Sequence, residues 1–132
     1  MTGKPLVLIV DDEQYIREMV GLKLSSCGFE VQEASGGKEG LEKVKGLRPD
    51  IVLLDMEMPD MNGLAVFKKL KEDGFTVGTN IFFFTGKDNP RQDMVELSKI
   101  MAKGEGAVDL IRKEMDLNKI VEYMKQSLNM PC

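Results

Sequence analysis

Three short, purely apolar runs constrain this chain more than any other feature: LVLIV (6–10), IVLL (51–54) and IFFF (81–84). Each is short for a buried helix, and none shows the polar alternation of a strand with one wet face. Such runs read as strands covered on both faces, as in a parallel sheet. FEVQ (29–32) and VDLI (108–111) read as two further strands. Between the strands the apolar spacing becomes helical. From Gln14 to Cys27 the apolar side chains are Ile16, Met19, Val20, Leu24 and Cys27. From Gly37 to Leu47 they are Leu41, Val44 and Leu47, and from Gly63 to Lys71 they are Leu64, Phe67 and Leu70. A fourth helix is signalled by Asn89 as cap, Pro90 at the first helical position and Gln92 completing a capping box. Its face is Met94, Leu97 and Met101, and Gly104 can stop it. The last helix starts at Asp116 and shows Leu117, Ile120, Val121, Met124 and Leu128. The methionines on these faces read as core filler.

The resulting order is βαβαβαβαβα. Right-handed crossovers place helices on both faces of a parallel sheet, so the fold class is α/β with three layers. Such folds bind ligands beyond the carboxyl ends of the strands, where the strand order reverses. Asp11 and Asp12 stand at the end of the first strand, Asp55 at the third, Thr85 at the fourth and Lys113 at the fifth. A single aspartate in such a place caps a helix or opens a turn. Three that converge repel one another by several kcal/mol at an effective dielectric of about 20. They need a cation, or one of them must take up a proton.

Composition narrows the chemistry. With no histidine among its 132 residues, the chain has no Ser-His-Asp or Cys-His apparatus and no His-ligated zinc. Cys27 lies in an expected helix and Cys132 is the last residue, so no disulfide framework or metal cluster is indicated. Hard carboxylate oxygens instead suit Mg²⁺, with Mn²⁺ as the alternative. Lys113 and the Thr85 hydroxyl beside such a cation make a phosphoryl-binding set, with Asp55 best placed as nucleophile. The net charge of -4 argues against nucleic-acid binding through bulk charge. No apolar run approaches the roughly 20 residues that span a bilayer, and the N-terminus lacks a signal-peptide pattern. A cytoplasmic protein of one domain is expected, with its core at about residues 5–128 of 1–132.

The motifs VDDE (10–13), LLDMEMPDMNG (53–63), FTG (84–86) and IRK (111–113), in register along almost the whole chain, resemble the receiver domain of two-component response regulators. The resemblance implies a flavodoxin-like five-stranded parallel sheet of order 2-1-3-4-5 with five helices. It implies Asp55 as the phosphoacceptor. Asp12 would bind Mg²⁺ directly, Asp11 mainly through water, and Glu57 through its backbone carbonyl. Thr85 would follow the phosphoryl group and Lys113 would pair with it, while Pro59 and Gly63 shape the turn into the third helix. Asp60 reads as turn chemistry beside Pro59. Met56, Glu57, Gly86 and Lys87 fall around the mouth of the site and are expected to modulate it. The donor would be a phosphohistidine on a histidine kinase or His-phosphotransfer protein, and hydrolysis by the domain itself would end the signal. Output would pass through the face of the fourth and fifth strands and helices to a downstream protein. No direct nucleic-acid contact and no membrane association are expected, and the state would be a monomer or weak dimer.

Several positions depart from the family pattern. Glu114 follows Lys113, where the family usually has proline in a cis bond; a trans bond is expected here, since cis before a non-proline residue costs about 2.5–4 kcal/mol. Leu110 occupies the switch position, usually Tyr or Phe. The stretch from Thr85 to Lys113 is several residues longer than the family's. Glu57 and Lys87, two residues after Asp55 and Thr85, could pair across the mouth; alternatively, the Glu57 carboxylate could bind metal directly. Three other readings compete. One is a receiver-like interaction module that never turns over phosphate. Another is a metal-dependent phosphatase of the haloacid-dehalogenase kind, which normally has a second Asp where Glu57 stands. The last is a flavin binder, which would need a phosphate loop where Asp11 and Asp12 stand.

Overall fold

The apolar runs form the middle of one sheet. The structure, a computed structural model, describes residues 3–86 and 107–130. The strands are β1 (Leu6–Val10), β2 (Glu30–Ala34), β3 (Ile51–Asp55), β4 (Asn80–Thr85) and β5 (Ala107–Arg112). All pairings are parallel, in the order β2-β1-β3-β4-β5, as expected. The helices among the described residues are α1 (Gln14–Ser26), α2 (Gly37–Leu47), α3 (Gly63–Glu72) and α4 (Leu117–Ser127). The helix expected after Asn89, with Pro90, Gln92, Met94, Leu97, Met101 and Gly104, lies outside the described residues, as does Lys87.

Successive strand residues point to opposite faces, so each continuous run feeds two cores. Leu8, Val10, Val52, Leu54, Ile81 and Phe83 pack with Val44 of α2 and with Leu64, Val66, Phe67 and Leu70 of α3. Val7, Ile9, Ile51, Leu53, Phe82 and Phe84 pack with Ile16, Val20 and Leu24 of α1 and with Ile120, Val121 and Met124 of α4. Met56, Met58 and Met124 are buried in these cores, and Met19, Met61, Met115 and Met130 pack against them. The filler reading of the methionines holds at these positions.

β2 corrects one boundary. It runs from Glu30 to Ala34 rather than from Phe29 to Gln32. Phe29 is drawn out of the strand because its N–H donates to the Leu24 carbonyl at 3.1 Å and closes the end of α1. Its ring still enters the core.

α3 starts where Asn62 accepts a hydrogen bond from the Ala65 N–H at 2.8 Å. The chain reaches it only because residue 63 is glycine: a Cβ there would lie 2.5 Å from the Asp55 carbonyl oxygen. The Gly63 N–H instead donates to the Met56 carbonyl at 3.0 Å. α2 has no side-chain cap of its own. Asp60 supplies one from the β3–α3 loop, accepting from the Gly37 and Lys38 N–H groups at 2.9 Å each. Asp60 therefore does more than shape its own turn. The reason was not local: its partners lie on the far side of the sheet connection, 22 and 23 residues away. Among the described residues no peptide bond is cis, so Lys113–Glu114 is trans as expected.

Candidate functional site

The strand order reverses between β1 and β3. From β1 the chain crosses outward to β2, then returns past β1 to β3. The crevice at their carboxyl ends is where such folds bind ligands. Asp11 follows β1 and is fully buried, while Asp12 is exposed. Asp55 is the last residue of β3 and only 3% exposed. Carboxylate oxygens of these three residues all lie within 4.8 Å of one another.

Backbone geometry pins the two buried acids. Asp11 Oδ1 accepts from the Glu13 N–H at 2.9 Å, and the Asp11 carbonyl accepts from Arg17 Nη1 at 2.7 Å. Arg17 Nε in turn donates to Glu33 at 3.0 Å, tying α1 to β2 behind the site. Asp55 Oδ1 accepts from the Glu57 N–H at 3.2 Å. Asp55 Oδ2 is buried and has no hydrogen-bond partner among the described residues. A buried acceptor left unpaired costs about 1–3 kcal/mol, more for a charged group. Asp11 Oδ2 likewise accepts no hydrogen bond among the described residues, although Lys113 Nζ lies 2.9 Å from it, so a bound cation would relieve both oxygens.

Lys113 supplies the only ammonium seen in contact with the cluster among the described residues. Its Nζ lies 2.9 Å from Asp11 Oδ2, 3.2 Å from Glu13 Oε1 and 3.4 Å from Asp55 Oδ1. β5 delivers it: the Lys113 N–H donates to the Thr85 carbonyl at 2.8 Å, which fixes the lysine against the end of β4. Burial opposes the ammonium charge. The Asp11 and Asp55 carboxylates, with Glu13, outweigh it and hold Lys113 above its ordinary pKa.

Desolvation by burial and then the neighbouring Asp11 charge push Asp55 up to about 7, against the pull of Lys113 and the Glu57 N–H. Burial also raises Asp11, against its hydrogen bond from Glu13 and its pairing with Lys113. One ammonium does not neutralise the buried pair together with Asp12. The donor set is all oxygen and compact, which suits a hard divalent cation.

The other expected positions fall as follows. Thr85 is buried and its hydroxyl donates only a long bond, 3.3 Å, to the Gly86 carbonyl. Gly86 is exposed with open space beside it. Glu57 is exposed, and Met56 is buried in the core shared with α2 and α3. Leu110 is partly buried against the core that holds Phe83, its partner across β4. The sequence reading missed the Lys113–Glu13 ion pair and the Arg17 clamp. VDDE contains Glu13, but nothing local says that a lysine 100 residues on will reach it.

A family model described as the response regulator receiver domain matches residues 7–125. The chain is similar to the chemotaxis protein CheY of Thermotoga maritima: 36% identical over 121 residues, covering 91% of this chain and 94% of that one. It is 34% identical over 128 residues to the phosphate regulon transcriptional regulatory protein PhoB of Pseudomonas aeruginosa. That match covers 97% of this chain but 53% of PhoB, so the chain spans about half the length of that relative. The crystal structure of a CheY-like receiver domain protein from Methanospirillum hungatei superposes with a TM-score of 0.81 at 28% identity, covering 94% of each chain. No helix among the described residues is long and apolar enough to cross a membrane. The fold, the acidic crevice and the family match agree: this chain belongs to the response regulator receiver domain family.

Proposed function

We propose that Asp55 accepts a phosphoryl group from a phosphohistidine on a histidine kinase or His-phosphotransfer protein, and that the domain later hydrolyses it. The observation that carries this reading is the buried, unpartnered Asp55 Oδ2 beside Asp11, Asp12 and Lys113. Asp11, Asp12, Asp55 and the Glu57 backbone carbonyl would hold Mg²⁺ or Mn²⁺. When bound, such a cation neutralises charge on the carboxylates and on the phosphoryl oxygens.

The remaining work falls to the protein's own groups. An Asp55 carboxylate oxygen attacks phosphorus as the bond from phosphorus to the donor imidazole nitrogen breaks. That nitrogen keeps the electron pair. Lys113 pairs with a phosphoryl oxygen, and the Thr85 hydroxyl, held only by a long bond, is free to rotate and donate to another. In hydrolysis a water attacks phosphorus, the bond to Asp55 breaks, and inorganic phosphate leaves. Glu57, with Lys87, sets water access at the mouth, while Met56 and Gly86 shape it. With Leu110 in place of the family's aromatic switch, the signal passes through the face built on β4, β5 and α4 and through the stretch between β4 and β5 to a protein target, in a cytoplasmic setting.

Incubation with acetyl phosphate and Mg²⁺ followed by mass spectrometry tests the reading. A phosphoryl adduct on Asp55 is expected. Absence of any adduct under conditions that label a known receiver would refute it. Dephosphorylation rates of Glu57→Asn and Lys87→Ala test the mouth: unchanged rates in both remove its gating role.

A further inference from the structure

Lys113 has two kinds of partner. Asp11 and Asp55 are buried in the crevice, whereas Glu13 reaches the ammonium from the rim with its side chain 57% exposed. The Glu13 contact is a hydrogen bond at 3.2 Å, shorter than the 3.4 Å separation from Asp55 Oδ1. Glu13 is also held firmly by its backbone. Its N–H donates to Asp11 Oδ1, and its carbonyl accepts from the Arg17 N–H at 3.2 Å as the N-cap of α1. The side chain therefore leaves a fixed anchor and lies over the lysine. An ammonium has three donors and no more. Each donor spent on Glu13 is withheld from Asp55 and from any group attached to it.

We infer that Glu13 is a positioning residue that latches Lys113 to the rim in the resting state and competes with the phosphorylated site for its ammonium. The inference rests on the phosphoacceptor reading of Asp55. Phosphorylation draws Lys113 inward, so the Glu13 bond must be given up. Glu13 thereby opposes phosphorylation without touching the reacting atoms. An uncharged glutamine of the same size keeps the shape and weakens the latch, because it removes the Coulomb attraction between carboxylate and ammonium.

The test is a titration of the whole chain with beryllofluoride at saturating Mg²⁺, followed by ¹⁹F NMR, alongside melting curves. Glu13→Gln is expected to bind beryllofluoride about 2- to 5-fold more tightly, the range for a partly exposed ion pair. Its melting temperature should stay near wild type, as for any partly exposed ion pair, so a gain in affinity is not a folding effect. Glu114→Gln removes an equal charge next to Lys113 in sequence, from a side chain that pairs with Arg112. It should leave the affinity unchanged. Equal affinity in wild type and Glu13→Gln, or the same gain in Glu114→Gln, would overturn the latch while leaving Asp55 as acceptor. A wild-type protein that takes up no beryllofluoride would overturn the acceptor reading, and the latch with it.

Discussion

Asp55 and Asp60 sit five residues apart at the two ends of one turn, and they are held in opposite ways. Asp60 is exposed and faces the bare N-terminus of α2. The Lys38 N–H, the Gly37 N–H and more local amides hold its carboxyl below the usual range. Asp55 is buried and faces another acid. Burial and the Asp11 charge hold it well above that range, at about 7. One carboxylate is satisfied and stabilises the fold. The other keeps a buried oxygen that has no hydrogen-bond partner among the described residues. The residue type and the loop are shared, so the difference lies in what tertiary structure sets opposite each one.

Removing one acid at a time separates the two roles. Asp55→Asn should abolish the acetyl-phosphate adduct entirely, whereas Asp60→Asn should retain it; mass spectrometry of both reads the contrast.

Next in size is the pH dependence of the metal-free protein. The folded pKa of Asp55 lies above its ordinary value of 3.8. Its protonated form therefore stabilises the native state fully below about pH 4, and that contribution is lost as pH rises through about 7. The slope should reach up to about 1.4 kcal/mol per pH unit between those limits. Urea melts from pH 4 to 8 should show this decline in wild type and a flatter curve in Asp55→Asn. Mg²⁺ added at pH 8 should restore stability to wild type by binding the native state. A pH-independent wild type would contradict the raised pKa of Asp55.

Gly63→Ala probes the close approach of the start of α3 to the Asp55 backbone. Its Cβ would press on the Asp55 carbonyl, a backbone atom that cannot swing away. A loss of about 1–3 kcal/mol is expected, the usual range for overpacking. It should appear as a lower urea midpoint at an unchanged slope.

The smallest effect belongs to Asp60→Ala. Losing a helix cap costs about 0.5–2 kcal/mol, and this exposed cap belongs near the lower limit. Its sign with pH is opposite to that of Asp55. The folded pKa is depressed, so the contribution is present above the ordinary 3.8 and is lost as pH falls through the lower folded value. The wild-type to Asp60→Ala stability difference should therefore shrink in acid, as melts at pH 7 and pH 3 would read.

Much of this was legible in the residues. LVLIV, IVLL and IFFF announce buried parallel strands because only strands covered on both faces can afford no polar alternation. Asp11, Asp12, Asp55, Thr85 and Lys113 each fall at a strand end, and a parallel α/β topology sends all such ends to one side. The Asp116 cap acts within two residues of its partner, accepting from the Asn118 N–H at 2.7 Å. Phe29 went astray because its backbone closes α1 although its neighbours look like strand. Asp60, Arg17 and Glu13 were read as local chemistry or passed over, because their partners are remote in sequence or belong to the backbone of another element.

The sequence by itself determined the strand and helix pattern, the rim on which the polar residues gather, and the hard-oxygen character of that rim. Periodicity and strand polarity are local properties, repeated every few residues, and they carry that far. Tertiary structure alone decided which oxygens are satisfied. It set two amides against Asp60, gave Asp55 Oδ2 no hydrogen-bond partner among the described residues, and laid Glu13 beside Lys113. A carboxylate's free energy depends on its burial and on charges a few ångströms away, and the elements that supply them come from distant parts of the chain.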